Sequence, residues 1–186
     1  MPPKVKVTKE AVVNAAVQIV RSQGVQALNA RTVAAALNCS TQPVFSNFET
    51  MEQLWLAVLQ EADGLCGAYI RGEMEQGNYP PYKASGMAYI RFAKEEKELF
   101  KALYMRQRRE DTSYEALNFG VPMEQMVQKN TGLPAEQIKL FHMEMWAYVH
   151  GIATMFATGF LDLEWDLVSQ MLTDAYQGLR KQYESV

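Results

Sequence analysis

The chain has 186 residues, 48% hydrophobic and 21% charged, and a net charge of −3. Such a chain buries a core without staples, and its apolar fraction excludes an intrinsically disordered protein. Its apolar runs fall far short of the ~18 residues a membrane span needs, and its two cysteines, Cys39 and Cys66, are too few for a disulfide framework or a zinc cage.

No basic-then-apolar leader opens the sequence, so a reduced, cytoplasmic setting is expected. Apolar spacing is helical almost throughout. Residues 8–23 put Ala11, Val12, Ala15, Ala16, Ile19 and Val20 on one face, with Thr8 as N-cap and Gly24 just past the end. A short helix over 30–37 follows, capped by Asn29, with Val33, Ala34 and Leu37 inward. Asn38 stands where a left-handed residue would stop it. Ser40 is expected to cap a third helix through Asn47, and Thr50 with Gln53 forms a capping box opening a long helix from Met51 to Arg71.

Gly72 to Pro81, with two glycines and two prolines, reads as a connection. Helical spacing resumes over 82–93 and 94–108, breaks at Gly120-Val121-Pro122, and resumes over 134–157. Gly159 ends that helix, and Asp162 is expected to cap a last one over 163–183. The fold expected is all-α, with about nine helices and no sheet.

Residues 29–48 (NARTVAAALNCSTQPVFSNF) carry the most specific signal. Two short helices around a tight Leu37-Asn38-Cys39 turn have helix-turn-helix geometry. Ala34, Ala35 and Ala36 would let the helices cross closely, with Val33, Leu37, Val44 and Phe48 as shared core. Thr41, Gln42 and Ser46 on the second helix can donate and accept hydrogen bonds, as reading base edges requires. By spacing alone, the same stretch also fits an ordinary helical hairpin in a bundle. Charge is divided in step with this motif. Residues 1–50 hold five basic groups against two acidic ones, and the remainder thirteen against nineteen, so a polyanion would meet the head.

Residues 8–60 resemble the DNA-binding domain of the tetracycline-repressor (TetR) family. The resemblance rests on the alanine-rich first helix ending in Gly24, Val33-Ala34, Leu37-Asn38-Cys39-Ser40, Val44-Phe45-Ser46-Asn47-Phe48, and Thr50 to Leu54. Trp146-Ala147-Tyr148-Val149-His150-Gly151 is similar to the Trp-His-Gly signature of one subgroup of family C-terminal domains. The resemblance implies phosphate favoured by the helix start at Asn29 and Ala30, and base-facing positions at Arg31, Thr41, Gln42 and Pro43. It implies backbone-facing positions at Ser40, Phe45 and Asn47. Four residues depart from the family's usual choices: Phe45 for Tyr, Asn47 for His, Met51 for Lys and Asn38 for Gly. Lys4, Lys6 and Lys9 are expected to offset part of the lost phosphate grip.

Ten of the eleven methionines lie after residue 50. Met74, Met87, Met105, Met123, Met126, Met143, Met145 and Met155, with Tyr69, Tyr89, Phe92, Tyr104, Phe141 and Trp146, fit either an irregular core or an adaptable apolar cavity. His142, Trp146 and His150 share one helix face. The ligand-binding residues chosen are Tyr69, Met87, Phe92, Tyr104, Met105, Met126, His142, Trp146 and His150. No metal-ligand spacing, phosphate loop or catalytic constellation accompanies them, so neither an enzyme nor a cofactor is expected. The run Arg106–Asp111 reads as a solvated turn.

These readings combine into a helix-turn-helix domain over 1–50 and a helical effector-binding and dimerisation domain over 51–186. The expected function is a DNA-binding repressor of transcription, released or modulated by a small, largely apolar effector. Its partners are double-stranded operator DNA, that effector and a second copy, with no membrane. The dimer is expected through the last two helices, with Met145, Val149, Ile152, Phe156, Leu167, Met171, Leu172, Ala175 and Leu179 at the interface. The alternative is an all-helical apolar-ligand binding protein without operator binding.

Overall fold

The structure, a computed structural model, describes residues 7–106 and 123–184. Nine α-helices and one short 3-10 turn make up the described chain, and no strand occurs among these residues. They form two compact units, described separately below.

The first unit holds the described residues up to Asp63 together with Glu98–Arg106. Its helices are α1 (Lys9–Gln23), α2 (Ala30–Ala36), α3 (Gln42–Asn47), the first half of α4 (Met51–Gln76), and α6 (Lys97–Tyr104) from Glu98 on. Thr8 Oγ1 accepts the N–H of Ala11, and Gly24 closes α1 at φ +83°. Val12, Ala16 and Val20 of α1 are fully buried, as are Val33, Val44, Leu54, Val58, Leu99 and Phe100. Burial of this sort at ~25 cal/mol per Å² of apolar surface is what holds short helices that would not survive alone. Of the three alanines expected between α2 and α3, only Ala34 is buried; Ala35 and Ala36 face solvent. One small residue, with Val33 and Val44, therefore suffices for the crossing.

The second unit holds Gly64–Lys97 and the described residues from Met123 on. It contains the second half of α4, then α5 (Pro81–Glu95), α7 (Met123–Thr131), α8 (Ala135–Thr158) and α9 (Trp165–Glu184). α5 packs chiefly on α8, with α7 and α9 alongside both. Phe141, Ile138, Val127, Leu133 and Met145 form a buried cluster, flanked by Tyr82, Ala175, Tyr176, Leu179 and Tyr183.

Expected boundaries shift at α4, α3 and α9. α4 runs on to Gln76 instead of stopping at Arg71, because Glu73 beyond Gly72 is buried against Arg91 (3.3 Å) and rewards the extra turn. The chain turns at Gly77, at φ +70°. Ser40 does not cap α3: Thr41 is its N-cap, with no side-chain bond. Asp162 does not cap the last helix, because its carboxylate accepts Lys94 Nζ at 2.6 Å and the helix begins at Trp165. Helix α7 goes beyond the elements the spacing predicts. Of the Arg106–Asp111 run, 107–111 lie outside the described residues, and α6 ends at Tyr104.

Candidate DNA-reading head and body cavity

Helix α2 begins at a capping box. Asn29 Oδ1 accepts the N–H groups of Arg31 and Thr32 (both 3.0 Å), while Thr32 Oγ1 accepts that of Asn29 (3.1 Å). The cap takes two of the helix-start N–H groups at which the resemblance implies a phosphate. The helix ends in a Schellman motif: Asn38 N–H donates to Ala35 O and Cys39 N–H to Ala34 O, both within 3.1 Å. Asn38 adopts φ +50°, the left-handed conformation the sequence predicts for it. That sharp stop aims α3 away from α2.

In α3, Val44 turns inward and Phe48 just beyond it is buried, so the remaining positions face out. Gln42 and Ser46 are exposed, and Phe45 is 49% exposed. Pro43 occupies the first turn, where its missing N–H has no helical partner. Ser46 Oγ donates to Gln42 O (2.9 Å). Ser40 is exposed beside α3, while Thr41 and Ala30 are half-buried. Arg31 is exposed on α2, and its guanidinium has no partner among the described residues.

Two side chains expected at phosphate have partners within the chain. Asn47 Nδ2 donates to Pro43 O (2.8 Å) and Val7 O (3.3 Å), tying α3 to the segment before α1. Lys9 Nζ lies over the Phe48 ring, 5.1 Å from its centroid. Lys4 and Lys6 lie outside the described residues.

The second unit holds an open-mouthed cavity of about 500 Å³ among α4, α5, α7, α8 and α9. Of the residues chosen from the sequence, His142 and Trp146 line it. Met123, Met145 and Tyr89, from the wider set of methionines and aromatics, line it too. The other chosen residues do not. Met87, Phe92 and Met126 are buried core, because α5 and α7 turn these positions into the helix packing. Tyr69 packs edge-on against Phe92 and donates to Glu95 (2.8 Å). His150 stands behind the wall, stacked on Trp146 at 4.7 Å and bonded through Nδ1 to Tyr89 Oη (2.9 Å). Tyr104 and Met105 belong to the first unit, Tyr104 against Phe100 and Met105 exposed.

Several lining residues carry no apolar-periodicity signal and were not chosen from the sequence: Lys83, Ser85, Asn130, Thr173, Gln177 and Arg180. Lys83 Nζ donates to Thr173 Oγ1 (2.8 Å) across α5 and α9. Tyr82 Oη and His142 Nδ1 are 3.0 Å apart. Burial pushes the pKa of both histidines down, with Glu124 opposing this at His142, so both rings are neutral at pH 7. Among the described residues no group of three His, Cys, Asp or Glu is placed to hold a metal ion. No helix there is long and apolar enough to cross a membrane.

Residues 82–176, which hold most of the residues lining this cavity, match the family described as tetracyclin repressor-like, C-terminal domain. The chain belongs to the tetracycline-repressor (TetR) family. The fold agrees with a solved member of that family from Streptomyces coelicolor A3, at a TM-score of 0.62 and 16% identity. That likeness covers 90% of this chain and 96% of the other, so both the head and the body of a TetR fold are present. No curated protein matches the chain. Trp146, His150 and Gly151, which resemble a family signature, lie inside the matched region on α8.

Proposed function

We propose that the chain is a homodimeric repressor that reads operator DNA with α3 and releases it when a small molecule enters the body cavity. The observation that carries this reading is the head's geometry: a Schellman stop at Asn38, then a six-residue helix whose outward positions are Gln42, Phe45 and Ser46. So short a helix, polar outside, contributes little core beyond Val44, and its outward side chains suit base edges in a major groove. Thr41, Pro43 and Arg31 flank that face and complete the reading set. Ser40, Phe45 and the N-terminal Lys4 and Lys6 contribute to backbone grip; Asn47 acts indirectly by holding α3 to residue 7.

The dimer uses α8 and α9, but on a different face from the one the spacing predicts. Met145, Val149, Ile152, Phe156 and Leu172 are buried within the protomer, and Ala175 and Leu179 pack on its core. The face left over carries Leu140, Ala147, Tyr148 and Gly151 on α8, and Leu167, Met171 and Gly178 on α9. Gly151 and Gly178 sit inside helices with nothing within 4 Å of a built Cβ. Each costs about 1 kcal/mol relative to Ala. Close approach of a partner helix accounts for that cost.

A ligand shifts the DNA-binding equilibrium only through unequal affinity for two arrangements. Here α4 is the continuous element that holds head residues at its start and the cavity residue Ile70 near its end. Gel-shift of source-organism genomic fragments with the purified full chain tests the proposal. Retention of specific fragments, weakening steeply between about 50 and 200 mM salt, is expected. Binding no tighter to any fragment than to bulk DNA would favour the ligand-binding protein without an operator.

A further inference from the structure

We propose that the cavity takes an apolar monocarboxylic acid whose carboxylate meets the Lys83 ammonium beside Thr173. This rests on the cavity being the effector site, and it names the chemistry of what enters. Lys83 is half-buried on the first turn of α5, and among the described residues its ammonium makes one hydrogen bond, to Thr173 Oγ1. Its other neighbour is the face of Tyr79, 5.1 Å away. An ammonium has three donors, so two stay open toward an acceptor. Among the described residues no Asp or Glu lines the cavity, and the nearby Glu124 is exposed and acts on His142. Burial lowers the pKa of Lys83, the mark of a cation that has lost water without gaining a counter-charge.

The remaining wall points the same way. The second cation on the wall, Arg180, has an interaction of its own. Lys83 therefore offers this cavity open donors and a positive charge, which a ligand meets with an anionic acceptor. Ile70, Met145, Val149 and Leu172 supply an apolar surface for the rest of it. A volume of about 500 Å³ suits a small organic molecule. One uncompensated ammonium balances one negative charge; a dianion would bring a second charge into an apolar cavity, at high desolvation cost.

Isothermal titration of the full chain with decanoate, 4-butylbenzoate and 1-naphthylacetate, each beside its neutral primary amide, tests this. At least one acid is expected to bind about tenfold more tightly than its amide, as a charge-assisted hydrogen bond implies. Lys83→Met should bring acid and amide to within about twofold while Lys83→Arg keeps most of the preference. Thr173→Val, which frees the ammonium from its protein acceptor, should keep the preference as well, and serves if Lys83→Met does not fold. Equal binding of acids and amides, no acid binding below millimolar concentration, or a preference that survives Lys83→Met overturns the proposal. Gel-shift with the same compounds separates this from the regulatory reading. Lys83-dependent acid binding that leaves DNA retention untouched upholds the ligand class and counts against its role as effector. DNA release by an amide and not by its acid does the reverse.

Discussion

Asn38 shows how one residue directs the reading helix. Its φ of +50° lies in the left-handed region, where asparagine is tolerated and alanine is strained by about 1–2 kcal/mol. Asn38→Ala should therefore lower the stability of the head by about 1–2 kcal/mol, whereas Asn38→Gly should leave it unchanged or raise it. Denaturant midpoints followed by circular dichroism measure both; equal midpoints for the two variants would contradict the account. This residue was legible in the sequence because stopping a helix is a local problem with few chemical solutions. Asn47 and Lys9 were less legible. Each looks like a phosphate contact in the linear sequence, but each is drawn to an internal partner, Val7 O and the Phe48 ring, that only folding brings near. Lys83 was missed because a lysine at a helix start reads as surface, and its neighbour Thr173 lies 90 positions away.

At the level of elements, hydrophobic period located eight of the nine described helices, all but α7, and misjudged where glycine matters. Gly72 reads as a breaker and is carried inside α4, because Glu73 gains Arg91 beyond it. Gly77, at positive φ, is the true stop. Period also shows that α8 and α9 have apolar positions to spare, but not which stripe faces inward. On α8 the larger residues Met145, Val149, Ile152 and Phe156 fill the body, leaving the flatter Ala147–Tyr148–Gly151 surface outside. Gly151→Leu puts a bulky side chain on that surface, where a Cβ has no neighbour within 4 Å beyond the adjoining residues and local helix backbone. Light scattering should show the wild type as a dimer and this variant as a folded monomer at micromolar concentration. A wild-type monomer, or a variant dimer of unchanged affinity, would place the interface elsewhere.

In the whole molecule, the two Tyr–His pairs make the body sensitive to acid. His142 and His150 are held below their usual pKa of 6.5, chiefly by burial. The unfolded chain therefore takes up protons that the folded body refuses, so stability rises with pH across this range. It is fully present above about pH 7 and lost as pH falls through 6.5 toward the lower folded values. Melting temperatures should drop between pH 7.5 and 5.5, and the His142→Gln, His150→Gln double variant should drop less. Identical slopes for the two proteins would contradict the assignment.

The central claim is that α3 reads base sequence, with Gln42 as its clearest reader: exposed, on the outward face, its amide unpaired among the described residues. Fluorescence anisotropy with a retained operator and its single-base variants measures this directly, for wild type and Gln42→Ala. The account predicts that Gln42→Ala loses about 1–3 kcal/mol of discrimination at one base pair per half-site, with the salt dependence nearly unchanged. A uniform loss of affinity across all operator variants, or no change at any of them, would contradict it.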